Sequence, residues 1–164
     1  MDKNYVIVIG VLFQFISISA VAGENWKVII ADDPVSKTSR CLMESKTQVT
    51  EDGQTKTYVK LVYTGTGLYA ATKSHIDLTY PGVGLQVDSN PQLKIDKLVK
   101  EKTAVFVKDI SIIHKQFIHG AKAKLALGFW PTWPKTKTRI IEFSLFGYTK
   151  AYQQFQKCNK TGKL

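Results

Sequence analysis

Residues 121–147 read AKAKLALGFWPTWPKTKTRIIEFSLFG, and the period of the two flanking runs decides the fold class. On the C-terminal side Ile141, Phe143 and Leu145 share one face, and Ile140, Glu142 and Ser144 share the other. Side chains of an extended chain point alternately to opposite faces, so this alternation predicts strands rather than helix. The stretch FWPTWPK between the runs is too long for a two-residue turn, and its prolines would interrupt a ladder. An antiparallel hairpin with a prominent loop is the expected structure. The loop region carries Trp130, Trp133, Lys135, Lys137 and Arg139. Two readings stand for it: the indoles pack over the sheet edge, or they present flat aromatic surface beside cationic groups. The second suits an anionic interface, peptide docking or glycan stacking.

Outward from the hairpin, the same period recurs. WKVII (26–30), RCLMES (40–45), TKTYVKLVYT (55–64) and TAVFVK (103–108) read as strands. Cys41 and Met43 fall on one face of the second, and Val59, Leu61 and Tyr63 on one face of the third. EDGQ (51–54) is a hairpin turn, because Gly53 reaches the backbone angles such a turn needs. SHIDLTYPGVGLQVD (74–88) is two short extended pieces around the Pro81-Gly82 breaker. TGTG (64–67) is a turn, since it lacks the rest of a phosphate-binding loop.

Two segments change to helical spacing. In DISIIHKQFIHG (109–120), Ile110, Ile113 and Phe117 share a face, Asp109 can cap the start and Gly120 can end it. In GYTKAYQQFQKC (147–158), Tyr148, Ala151, Tyr152 and Phe155 line one side. The expected fold is mainly β: an antiparallel β-sandwich or small barrel with two short helices.

The N-terminus reads MDKNYVIVIGVLFQFISISAVA (1–22), a lysine-bearing start, an apolar run and a small-residue A-x-A end. That is the layout of a secretory signal peptide; an uncleaved anchor is its rival. A single β-rich domain over 23–164 follows. Export agrees with the two cysteines, Cys41 and Cys158, read as one disulfide, with a pair of free thiols as the alternative. The expected location is periplasmic or secreted.

Charge is uneven. Residues 1–100 hold 11 basic and 10 acidic groups, whereas residues 101–164 hold 12 basic and 3 acidic, a difference of +9. A basic C-terminal third attracts an anionic envelope component or protein partner, or supports peripheral membrane contact; export argues against nucleic acid.

The order and spacing of WKVII, CLMES, YPGVGLQVD and IIEFSLFGYTKAYQQF resemble the invasion-associated locus B family of exported bacterial proteins. The family's central motif maps onto Pro81, Gly82, Gly84, Leu85 and Asp88. Its closing motif maps onto Ser144, Leu145, Gly147, Tyr148 and Ala151. This chain lacks the additional cysteine pair of that family. The resemblance implies a β-rich envelope-associated domain linked to host-cell invasion or survival, and supplies no active site.

No residue pattern marks an enzyme. His114 and His119 are five apart, and His75–Asp77 has no accompanying nucleophile elbow. A non-catalytic binding or structural role without cofactor or metal is expected, with a small cell-envelope hydrolase as the alternative.

Overall fold

The computed structural model describes residues 25–130 and 137–163. The expected signal peptide, and with it Trp133 and Lys135 of the hairpin loop, lies outside the described residues.

Eleven strands among the described residues form two antiparallel sheets. They run as β1 (Trp26–Asp32), β2 (Ser39–Ser45), β3 (Gln48–Glu51), β4 (Lys56–Tyr63), β5 (Leu68–Thr72), β6 (His75–Asp77), β7 (Gly84–Val87), β8 (Lys97–Val99), β9 (Thr103–Phe106), β10 (Lys122–Trp130) and β11 (Arg139–Ser144). Helix α1 (Ile110–His119) precedes β10, and α2 (Tyr148–Thr161) follows β11. The larger sheet has seven strands in the order β1-β2-β4-β5-β9-β8, with β3 also on β4. The smaller has four: β11 pairs with β10, whose other edge is shared by β6 and β7. The sheets do not close into a barrel, so the sandwich is the correct alternative of the two.

The alternation read from the sequence is the burial pattern of the interior. Val59, Leu61 and Tyr63 of the larger sheet are buried against Leu125, Leu127, Phe129, Ile141 and Phe143 of the smaller. Leu42 and Val62 point the other way and are buried as well. They join Tyr69 and Val105 in a second cluster on the outer face of the larger sheet, against which Val35 packs. Asp33 shapes that loop by accepting the N–H groups of Val35 and Ser36 at 2.8 and 2.9 Å. Arg40 pairs with Asp33 at 3.6 Å and donates to the carbonyl of Thr64.

Four details differ from the sequence reading. Leu68–Thr72 form β5, a central strand whose run LYAAT has no alternation to mark it. Residues 97–99 form β8, an edge strand too short to show a period. Its turn into β9 places Lys100 and Glu101 at positive φ, as a primed hairpin turn requires, without glycine. Asp109 makes no side-chain cap; its backbone carbonyl accepts the N–H of Ile113 instead. Gly120 ends α1 in extended rather than left-handed backbone.

The helices complete the core at one end. Trp26 donates its indole N–H to the carbonyl of Ser144 at 2.9 Å, joining β1 to the end of β11. Its ring meets Phe117 of α1 and Tyr148 of α2 edge-on. Tyr148 is fully buried, and its hydroxyl lies 2.8 Å from Nδ1 of His114. His114 stacks on Tyr63 and touches Tyr152. Cys41 of β2 and Cys158 of α2 form the expected disulfide.

Two predictions follow from this packing. The disulfide joins residues 117 apart, so closing that loop in the unfolded chain stabilises the fold by about 4–5 kcal/mol on the chain-entropy model. Urea unfolding of the Cys41→Ser, Cys158→Ser protein should show a loss of about 2–5 kcal/mol; an unchanged midpoint would refute the assignment. The second concerns His114, whose pKa burial holds below the ordinary value. The neutral ring is favoured in the fold, so this contribution is complete above about pH 6.5 and is lost as pH falls through the folded-state pKa. His114→Phe should therefore flatten the decline of stability on acidification from neutrality. Parallel slopes for the two proteins would contradict it.

Candidate functional site: the outer face of the four-stranded sheet

Strand β10 carries Ala123, Leu125, Leu127 and Phe129 inward, which leaves Lys122, Lys124, Ala126, Gly128 and Trp130 on the outer face. Trp130 is 65% exposed at the end of the strand, paired in register with His75. An indole with this much area in water is unfavourable in isolation. It has apolar company. Ile140 of β11 lies opposite Ala126 on the same face and is 58% exposed. Between them, Gly128 carries the ring of Tyr80: a Cβ at position 128 would stand 2.4 Å from Tyr80 Cδ2. The missing side chain lets an aromatic ring lie directly on the strand.

Charge frames this strip. Lys122 pairs with Glu142 at 2.8 Å, and Lys124 sits between Glu142 and Gln86 in the cross-strand register. Lys137 is exposed where the chain re-enters the described region. The next residue, Thr138, donates its hydroxyl to the carbonyl of Pro81 at 2.8 Å. The Pro81-Gly82 breaker thus anchors the far side of the hairpin loop. His75 pairs with Glu101 at 2.9 Å, and the N–H of Ile76 donates to the Glu101 carbonyl at 2.7 Å. These contacts stitch the β8–β9 turn of the larger sheet to β6 of the smaller.

The residues singled out from the sequence do not all share this surface. Trp130 stands out from the sheet, and Lys137 is exposed. Arg139 pairs in register with fully buried Leu127 and therefore points to the inner face. Its terminal nitrogen Nη2 is buried without a hydrogen-bond partner among the described residues. Sequence reasoning missed Tyr80 and Ile140. Gly128 was the available signal for Tyr80, since glycine inside a strand often marks a close approach.

The histidine–carboxylate pairing weighed from the sequence is also resolved. Asp77 accepts the N–H and hydroxyl of Thr79 at 2.8 and 2.6 Å, while His75 is engaged with Glu101. Among the described residues no three His, Cys, Asp or Glu side chains are grouped to hold a metal ion. The deepest polar group of the cluster at the helices is Tyr148, whose pKa burial drives far up, with Tyr63 pushed up to about 12 chiefly by burial. Both phenols stay protonated and serve packing.

No protein-family model matches the chain, and no curated protein sequence matches it either. Among solved structures, the crystal structure of invasion associated protein B from Bartonella henselae matches with a TM-score of 0.55. The match covers 84% of this chain and 95% of that one, at 18% sequence identity. The resemblance read from the sequence is therefore matched in three dimensions: this chain shares the fold of that protein.

Proposed function

We propose that the chain is an extracytoplasmic, non-catalytic binding protein whose outer four-stranded face contacts an anionic component of the cell envelope. The disulfide and the shared fold support a location outside the cytoplasm, periplasmic or secreted. A part in host-cell invasion, the association carried by the name of the structurally similar protein, belongs to the same proposal.

The observation that carries the reading is Trp130, 65% exposed on an apolar strip with Ile140 and Tyr80. Single exposed apolar residues are ordinary on protein surfaces, but a contiguous strip on one sheet face is a feature of interaction sites. On this face Lys124 and exposed Lys137 are left beside the Lys122–Glu142 pair, and these cations favour a partner rich in phosphate or carboxylate. Lysines supply long-range attraction that salt screens. The indole supplies short-range contact that salt leaves intact.

Binding to phosphatidylglycerol vesicles and to a soluble acidic polysaccharide separates a lipid from a glycan source of that charge. Trp130→Ala should weaken whichever interaction is found about tenfold, and the loss should persist at about 1 M salt, where charges are screened beyond about 3 Å. Replacing Lys124 and Lys137 by glutamine should chiefly remove the enhancement seen at low salt. Wild-type affinity for both probes in the Trp130→Ala protein would exclude this face.

A further inference from the structure

Among the described residues, every strand edge of the two sheets is guarded except one. Strand β8 ends the larger sheet after three residues, and the turn beside it is stitched to β6 through Glu101. Strand β11 lies close to β3. Leu85 of β7 exchanges backbone hydrogen bonds with Leu93 at 2.9 and 2.7 Å, which closes the outer edge of that strand. Short strands, bridges and covering segments keep sheet edges from pairing with other chains. Strand β1 has none of these devices. It pairs with β2 through seven consecutive residues, without proline or bulge, and no described strand meets its other edge. Lys27, its one basic residue, is drawn toward β2 by Glu44 at 3.0 Å.

The register fixes which backbone groups are unpaired. The carbonyl of Asn25 accepts from Lys46, and the N–H of Asp33 donates to Thr38, so hydrogen-bonded pairs bracket β1 at both ends. Such pairs recur at every second residue of an antiparallel ladder. Lys27, Ile29 and Ala31 therefore bond to β2, while Trp26, Val28, Ile30 and Asp32 direct their N–H and C=O groups to the open edge. Side chains follow the same period. Val28 packs on the core from the inner face, and Ile29 and Ala31 join the outer cluster. Ile30, beside the core on the inner face, is 47% exposed.

We propose that β1 pairs with β1 of a second copy of this chain, antiparallel about a two-fold axis at Ile29. An axis perpendicular to the sheet keeps the inner faces of both copies on one side. Val28 then stands opposite the partner's Ile30, and Trp26 opposite the partner's Asp32, each pair exchanging two hydrogen bonds. All four edge residues of each copy are satisfied. On the outer face Ile29 meets the partner's Ile29, and Lys27 meets the partner's Ala31. β-Branched side chains are thus opposed and like charges are not. Moving the axis to Ile30 would set Trp26 opposite Pro34, which has no N–H to donate. Moving it to Val28 would run Asp32 past the end of the strand. Each copy uses its single open edge, so the assembly closes as a dimer. An edge about 23 Å long and one sheet deep is well below the ~800 Å² that each partner buries in a standard interface, so the dimer is weak and reversible. The formal charge of +10 on each chain opposes association, and salt therefore strengthens it.

Sedimentation of the full oxidised chain from micromolar to millimolar concentration tests this. The mass should rise from monomer to dimer and no further, more readily at high salt. Ile30→Lys places two lysines diagonally across the new ladder and should weaken association at least tenfold, with the melting temperature of dilute protein retained. Ile29→Cys should cross-link to itself in air, because opposed residues of a non-hydrogen-bonded pair stand about 4.5 Å apart at Cα. Ala31→Cys should cross-link with Lys27→Cys and not with itself. These cross-links read the register whatever Ile30→Lys does to the fold. A monomer throughout, assemblies larger than a dimer, or Ile29→Cys protein that fails to cross-link would each overturn the proposal. Capture of a synthetic WKVIIAD peptide by a chain that stays monomeric would assign the edge to a foreign strand and overturn it too. Trp130→Ala should dimerise as the parent does, so failure of this reading and failure of the Trp130 face are distinguishable.

Discussion

Four strands cannot cover the inner face of seven, and the rest of the molecule is organised around that mismatch. The apolar side chains of β1, β2 and β4 that β10 and β11 leave uncovered are buried by the helices. Helix α2 packs on β1 and β2, and α1 packs on α2 and β7. Trp26, Tyr63, Phe117, Tyr148 and Phe155 fill the junction with edge-on aromatic contacts, a geometry that ring quadrupoles favour. The disulfide then fastens the end of α2 to β2. Without the helices this end of the sandwich would expose its core.

The same arrangement leaves two surfaces of different character. Around Trp130, glycine and alanine at positions 128 and 126 keep the outer side of the small sheet flat enough for Tyr80 to lie on it. That surface is aromatic and bordered by lysines, the combination on which the proposed anionic contact rests. The open edge of β1 offers backbone groups rather than side chains, and its direction is set by the pairing with β2. Docking of α2 on β1 ties the edge to the global fold, whereas Trp130 sits at a strand end. The two surfaces therefore respond differently to the same destabilising change: loss of helix docking would deform the edge first.

Arg139 illustrates how the period of a strand sets the direction of each side chain. Its position beside the aromatic loop suggested a surface cation. In the sheet, however, a residue two places from Ile141 shares its face, and Ile141 is buried. Arg139 consequently turns toward the interior, with Nη2 buried and without a hydrogen-bond partner among the described residues. The alternation that predicted the strand already contained this direction. Asp88 shows the converse: it stood out only as the end of a motif, and its task became visible once Ala121 and Lys122 were seen to donate to it across 33 and 34 residues.

Period-two alternation, helical spacing and turn chemistry are local properties, so the strands at Trp26–Ile30, around Cys41, Val59 and Val105 and in the hairpin of 121–147, both helices and the Gly53 turn were legible from the residues alone, whereas LYAAT of central β5 shows no alternation. The cysteine pair and the order of motifs likewise pointed to a stapled β-rich domain; the disulfide forms, and the fold is shared with a solved structure of 18% identity. Short β8 carried no period to read, and its identity comes from pairing with β9. Which strands share a sheet, why Leu42 and Val62 are buried on the outer face, and which polar groups meet at Asp88 depend on contacts between distant residues. Those contacts are set by how two unequal sheets and two helices exclude water from a common core, a condition that no single stretch of sequence satisfies by itself.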